Sequence, residues 1–104
     1  MPELKEGDKF WLMGLDWKPL AEVTIIRVFI LAGVPGFAIH EYEGWFRVSH
    51  IETGALVSEG RDDAEAFVRA RAYAKDKGGK DGLLQLIRKT QNGIEERKGR
   101  RKHV

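Results

Sequence analysis

Two histidines and two carboxylates lie close together in the middle of the chain, and their residue types suit a metal site or an acid–base site. They are His40, Glu41, Glu43 and His50. If the three residues before Trp45 form a hairpin turn, His40 lies opposite Phe46. His50 is then four residues beyond Phe46 on the second strand of the hairpin. The two histidines are then roughly 13 Å apart at about 3.3 Å per residue, too far for two ligands of one ion. We therefore expect neither a metal site nor a catalytic site here.

Ser49 and His50, with Asp62 or Asp63 further along the chain, supply the residue types of a hydrolytic triad. Neighbouring residues of a strand point to opposite faces of the sheet, so the hydroxyl and the imidazole do not meet. The chain also lacks the G-x-S-x-G nucleophile motif. We expect a protein that is not an enzyme; in an enzyme, His50 and Glu41 would be the first candidates.

Two glycine clusters, at residues 33–36 and 78–82, lack the spacing of a phosphate-binding loop. The first has no predicted helix after it, and the second has no predicted strand before it. The chain has no cysteine, which excludes disulfides, zinc–thiolate sites and thiol nucleophiles. The sequence therefore indicates no cofactor and no metal.

The C-terminal segment has the clearest preference for a partner. Residues 94–104 contain five Lys/Arg and two Glu, a net +3, whereas residues 1–93 contain 13 basic and 14 acidic residues, a net −1. Clustered cations bind phosphates in a salt-sensitive and largely sequence-independent way. We predict a disordered tail that contacts DNA or RNA, with a solubilising tail as the alternative; Arg88 and Lys89 would extend the contact. The tail cations are Arg97, Lys98, Arg100, Arg101 and Lys102.

Trp17 is the tryptophan that we expect at the surface, because Asp16, Lys18 and Pro19 place it in a predicted turn. Exposed tryptophans often anchor protein interfaces. The alternative hypothesis is therefore a protein–protein interaction module, such as an inhibitor or small subunit, that uses Trp17 and a sheet face.

Size and composition favour a single small folded domain. The chain of 104 residues is 42% hydrophobic and 33% charged, as in a globular protein with a charged exterior. Its N-terminus lacks the apolar core of a signal peptide, and its longest apolar run, at residues 28–34, is too short to cross a membrane. We expect a cytoplasmic protein, of bacterial or phage origin, that binds no membrane.

The first half of the chain predicts strands. A short strand at residues 9–13 precedes a long apolar strand at 22–32, which is rich in β-branched residues. A hairpin then joins residues 37–41 to 45–51, and a three-residue loop ending at Gly54 leads into one more strand. We expect the last hairpin to present Phe46, Val48 and Leu56 to the helix.

The second half predicts helices. The sequence predicts a helix over residues 62–77 that ends at Gly78-Gly79. Asp62 is its expected N-cap, and Glu65 three residues later completes a capping box. Its apolar stripe consists of Ala66, Phe67, Ala70, Tyr73 and Ala74. Residues 82–91 favour a second helix that stops at Asn92-Gly93; the alternative is a strand with Asn92-Gly93 as a hairpin turn.

Together these elements predict an α+β fold: an antiparallel β-meander of four or five strands with one long helix packed across it and a second short C-terminal helix. We expect a single domain over residues 1–93 and a basic, disordered tail over 94–104. An exposed edge strand or apolar face would allow a homodimer.

Overall fold

A computed structural model describes residues 4–14 and 18–102, with side chains as far as Arg97. It confirms the α+β fold: a four-stranded antiparallel meander, a two-stranded sheet, a long helix across the meander and a second, C-terminal helix. The strands are β1 (Lys9–Met13), β2 (Pro19–Thr24), β3 (Arg27–Leu31), β4 (Val34–Tyr42), β5 (Trp45–His50) and β6 (Leu56–Gly60). The helices are α1 (Asp63–Asp76) and α2 (Lys80–Lys102).

The predicted strand at residues 22–32 is in fact two strands that belong to different sheets. Strand β2 pairs with β1, and β3 pairs with β4. Between them the chain bends: the Ile25 N–H donates to the Asp8 carbonyl, whereas the Ile26 N–H donates to the Ile39 carbonyl. Such a bend lets one run of residues serve two packed sheets, which explains why its side chains are apolar on both faces.

The β1–β2 ribbon covers one face of the meander. The side chains of Phe10, Leu12, Val23 and Ile25 form a buried cluster with Ala38 of β4. Strand β4 is therefore buried on both faces, which is consistent with its nearly continuous run of buried residues.

Helix α1 covers the other face of the meander, and its predicted cap and stripe are confirmed. The Asp62 carboxylate accepts a hydrogen bond of 2.7 Å from the Glu65 N–H, and Glu65 accepts one of 3.0 Å from the Arg61 N–H. Ala66, Ala70 and Ala74 are buried, and the partly buried side chains of Phe67 and Tyr73 pack against the same core. The small alanines allow the helix backbone to approach the sheet closely.

A β-bulge between Val48 and Ser49 corrects the prediction for the last hairpin. Phe46 and Val48 face α1 as predicted. Leu56, however, pairs with Ser49 and is 46% exposed, whereas Val57 takes its place in the core. The extra residue of the bulge shifts the alternation of inward and outward side chains by one position.

Helix α2 is longer than predicted. It begins at Lys80 and passes through Asn92-Gly93, where the sequence predicted its end, to Lys102. The segment predicted to be a disordered tail is thus helical as far as Lys102. The buried stripe of Leu83, Ile87 and Thr90 accounts for the passage through Asn92-Gly93, because Ile94 continues it at the same spacing and is half-buried.

Within the part of the chain that the structure describes, neither helix combines the length and apolarity that crossing a membrane requires.

Candidate nucleic-acid interface

Helix α2 concentrates the positive charge of the protein. It contains eight Lys/Arg and three Asp/Glu, a net +5, whereas residues 1–79 contain ten Lys/Arg and 13 Asp/Glu, a net −3. The helix is about 34 Å long at about 1.5 Å per residue. The net charge is therefore unevenly distributed: it is positive on α2 and negative on residues 1–79.

One face of α2 is held against the rest of the fold. Leu83, Ile87 and Thr90 are buried there, and the helix contacts α1 and β4. Thr90 is accommodated because its Oγ1 donates a 2.9 Å hydrogen bond to the Leu86 carbonyl, so no buried hydroxyl lacks a partner at that position. This contact fixes which side of α2 points outward.

The outward face of α2 is polar. The exposed side chains recur at helical spacing and line a shallow depression over Gly93. They are Gln85, Arg88, Lys89, Asn92 and Glu96. Of the predicted cations, Arg88 and Lys89 thus lie side by side on this face.

The remaining predicted cations lie in the last turns of the same helix. Arg97 is half-buried. Lys98, Arg100, Arg101 and Lys102 are on helical backbone. The sequence predicted the composition of this region but not that a helix would carry it.

The predicted interface residue Trp17 lies outside the described residues. Trp11 and Leu20, which precede and follow it in the sequence, lie on the outer face of the β1–β2 ribbon and are each 53% exposed. Trp11 pairs with Glu22, so Leu20 is its diagonal neighbour across the ribbon. Helix α1 and the β1–β2 ribbon pack on the two faces of the four-stranded meander, so the outer face of the ribbon is an exposed sheet face.

The histidines lie on opposite faces of the meander. His40 pairs with Arg47 rather than Phe46, because the hairpin turn consists of only two residues, Glu43 and Gly44, both at positive φ. His50 pairs with Phe37. The predicted failure of Ser49 and His50 to meet is confirmed: Ser49 bonds to His40, and the His50 Nδ1 lies 2.9 Å from the Thr53 Oγ1.

The His40–Ser49 pair is a serine–histidine contact that the sequence reasoning missed. The His40 Nε2 lies 2.9 Å from the Ser49 Oγ, and both side chains are fully buried. The ring of Phe10 packs edge-on against the imidazole, with centroids 5.3 Å apart. Among the described residues, no side chain bonds to the His40 Nδ1, so the carboxylate bond that orients the base in a triad is not formed.

Burial controls the protonation of both histidines. It lowers the pKa of His40 to about 4. Burial also lowers the pKa of His50, against the opposing effect of the Glu52 charge. Both imidazoles are therefore neutral at pH 7. In residues 4–14 and 18–102, no group of three or more His, Asp or Glu is placed to hold a metal ion.

Comparison with known proteins found no relative of this chain: no family model, curated protein or solved structure matches it.

Sequence reasoning missed Gln85 and Asn92 as members of the outward face. The signal for Gln85 was available in the predicted helix over 82–91, because polar residues three and four positions after it lie opposite the leucine stripe. Asn92 was missed because the helix was predicted to stop there. Lys80, in the first turn of α2, was missed because the helix was predicted to begin after it.

Proposed function

We propose that this protein is a small non-enzymatic, nucleic-acid-associated or regulatory protein that contacts the phosphate backbone through α2. The observation that supports the proposal most strongly is the separation of charge, +5 on α2 against −3 on residues 1–79. A polyanion is attracted to this helix and repelled by the remainder of the protein, which orients the encounter. A cytoplasmic location suits such a role.

The helical backbone favours binding because it orders the cations in advance. A disordered tail would lose conformational entropy when it binds, whereas helical residues have already lost their backbone freedom on folding. Arg88 and Lys89 are both exposed on the outward face, and Arg97 lies about 13 Å further along the axis from Arg88 but on the opposite side of the helix. The cations are thus spread along α2 over a length that corresponds to several phosphates, which are spaced by about 3.4 Å per strand along the duplex axis.

The C-terminal cations also have a structural effect, because positive charge near a helix C-terminus interacts favourably with the helix dipole. This effect falls off within the last turn. It therefore accounts for Arg100, Arg101 and Lys102, but it does not account for the exposed pair Arg88 and Lys89.

The test is a comparison of two variants of equal net charge. The first replaces the five cations of residues 97–102 with Gln. The control replaces five exposed cations outside α2 with Gln: Lys5, Lys9, Arg61, Arg71 and Lys75. Fluorescence anisotropy with a labelled 20-base-pair duplex and a 20-nucleotide single strand measures binding at low salt.

We expect the first variant to lose roughly 100-fold or more in affinity, and the control to bind as tightly as the natural chain or more tightly. Equal losses in the two variants would show that only total charge matters, and the proposal would be wrong. Absence of binding by the natural chain at low salt would also overturn it.

A second candidate function is a protein–protein interaction module, and the exposure of Trp11 and Leu20 on the ribbon favours it. These two side chains would form an apolar surface suited to a partner or to a second copy of the chain, and Trp17 is the interface residue that the sequence predicted. Affinity capture with the natural chain and with the variants Trp11→Ala and Trp17→Ala tests this function. Identical captured proteins and identical oligomeric states in all three would exclude it.

A further inference from the structure

The outward face of α2 carries side chains whose hydrogen-bonding groups match the edges of DNA bases. Gln85, Arg88, Lys89 and Asn92 occupy positions i, i+3, i+4 and i+7, and all four are exposed. From these residues, and on the basis of the proposed function, we infer that α2 lies in the major groove of duplex DNA and reads a short base sequence.

The position of these residues on the helix supports this inference. Their face is opposite the buried stripe of Leu83, Ile87 and Thr90, so the attachment to the fold leaves it open. Gln85 and Asn92 are about 10 Å apart along the axis at about 1.5 Å per residue. That length corresponds to about three base pairs at about 3.4 Å per step.

The chemistry of the four side chains is that of direct base recognition. Arg or Lys donates two hydrogen bonds to the O6 and N7 atoms of guanine, and Asn or Gln pairs with the N6 and N7 atoms of adenine. The expected site is therefore a short sequence of purines, with guanine opposite Arg88 or Lys89 and adenine opposite Gln85 or Asn92.

Acidic residues lie at both ends of the outward face of α2 and limit the length that can contact bases. Asp81 lies about one turn before Gln85, and Glu96 about one turn after Asn92; both are exposed. A carboxylate is repelled by phosphates and accepts hydrogen bonds from cytosine N4. Beyond Glu96, the cations from Arg97 to Lys102 would contact the backbone and fix the position of the helix along the duplex.

The partner is DNA rather than RNA because of groove dimensions. The major groove of B-form DNA is about 12 Å wide and admits an α-helix. The major groove of A-form RNA is deep and narrow, and side chains do not reach its base edges. An RNA duplex would therefore contact only the phosphate-binding cations.

The test is selection of bound sequences from a random duplex DNA library by the full chain, followed by affinity measurements. We expect a motif of about three base pairs that is rich in guanine and adenine on one strand. The double variant Gln85→Ala/Asn92→Ala should lose roughly tenfold or more on the selected site, with an unchanged affinity for unrelated duplexes. Gln91→Ala is the control, at an exposed polar position of α2 outside its outward face. It should bind the selected site and unrelated duplexes as the natural chain does.

The outcomes separate this inference from the proposed function. Duplex binding without an enriched motif would contradict the inference that α2 recognises bases, but it would not contradict the proposed phosphate contacts. Equal affinity for the selected sequence as an RNA duplex and as a DNA duplex would also contradict base recognition alone. Loss of all binding to duplexes would instead remove the proposed function, and this inference with it.

Discussion

His40 and Ser49 form a hydrogen bond of 2.9 Å between two fully buried side chains on neighbouring strands, β4 and β5. The pair lies beneath the β1–β2 ribbon, where Phe10 packs against the imidazole. A buried polar group without a partner is costly, so this contact favours one alignment of the ribbon on the meander.

Replacing Ser49 with Ala should destabilise the fold by about 1–3 kcal/mol, because the His40 Nε2 would remain buried without a partner. Urea unfolding measures the change. Ser58→Ala is the control: Ser58 donates a 2.7 Å hydrogen bond to the Ala66 carbonyl at a partly buried position, so its loss should cost less. An equal or smaller cost for Ser49→Ala would contradict this account of the pair.

Stability should fall as the pH decreases from 7 towards 4. The pKa of His40 is lowered from 6.5 to about 4 in the folded state, so the unfolded chain takes up the proton first. The corresponding stability is fully present above pH 6.5 and is lost as the pH falls to about 4, a change of up to about 3 kcal/mol. The lowered pKa of His50 acts in the same direction.

Urea unfolding between pH 5 and pH 7 isolates this effect from most of the carboxylate titration. We expect His40→Gln to show a clearly weaker dependence on pH than the natural chain. Parallel stability curves for the two proteins would rule out His40 as the source of the pH dependence.

Gly54 should be far less tolerant of substitution than Gly44. Both have positive φ, at 73° and 83°. A Cβ on Gly54 would lie 2.6 Å from the Met13 backbone nitrogen, whereas a Cβ on Gly44 would meet nothing within 4 Å. Gly44→Ala should cost about 1–2 kcal/mol from backbone strain alone, and Gly54→Ala considerably more. Similar losses of thermal stability would show that the loop does not approach β1 this closely.

Removal of the α1 cap by Asp62→Ala should cost about 1 kcal/mol, because the Glu65 N–H would lose its partner. The matched control is Asp76→Ala at the other end of α1, where a carboxylate opposes the helix dipole and its removal should be neutral or slightly stabilising. Thermal unfolding measures both changes. An unchanged stability of the Asp62→Ala variant would contradict the role of Asp62 as the N-cap.

Local signals in the sequence were sufficient for helix α1. Its N-cap, its alanine stripe and the glycines after it act within a few residues of one another, so they could be read without knowledge of the fold. The hairpin of β4 and β5 was predicted for the same reason. Its exact register was not, because a two-residue turn and a three-residue turn fit residues 42–44 equally well.

Features that depend on distant parts of the chain were missed. The bend between Thr24 and Arg27 requires two separate partner strands, and the bulge beside Ser49 decides between Leu56 and Val57. Similarly, Asn92-Gly93 is a local helix stop, but α2 continues through it, and Ile94 extends the buried stripe of Leu83, Ile87 and Thr90. The cations of the candidate site were found by composition, whereas their arrangement depends on that longer helix.

The salt dependence of duplex binding tests the central claim, that α2 binds nucleic acid through its clustered cations. The logarithm of the binding constant should fall linearly with the logarithm of salt concentration, with a slope of about −0.9 per neutralised phosphate. Replacing the five cations of residues 97–102 with Gln should make the slope shallower by about 1 for each cation that contacts a phosphate. An identical slope in the natural chain and this variant would contradict the claim.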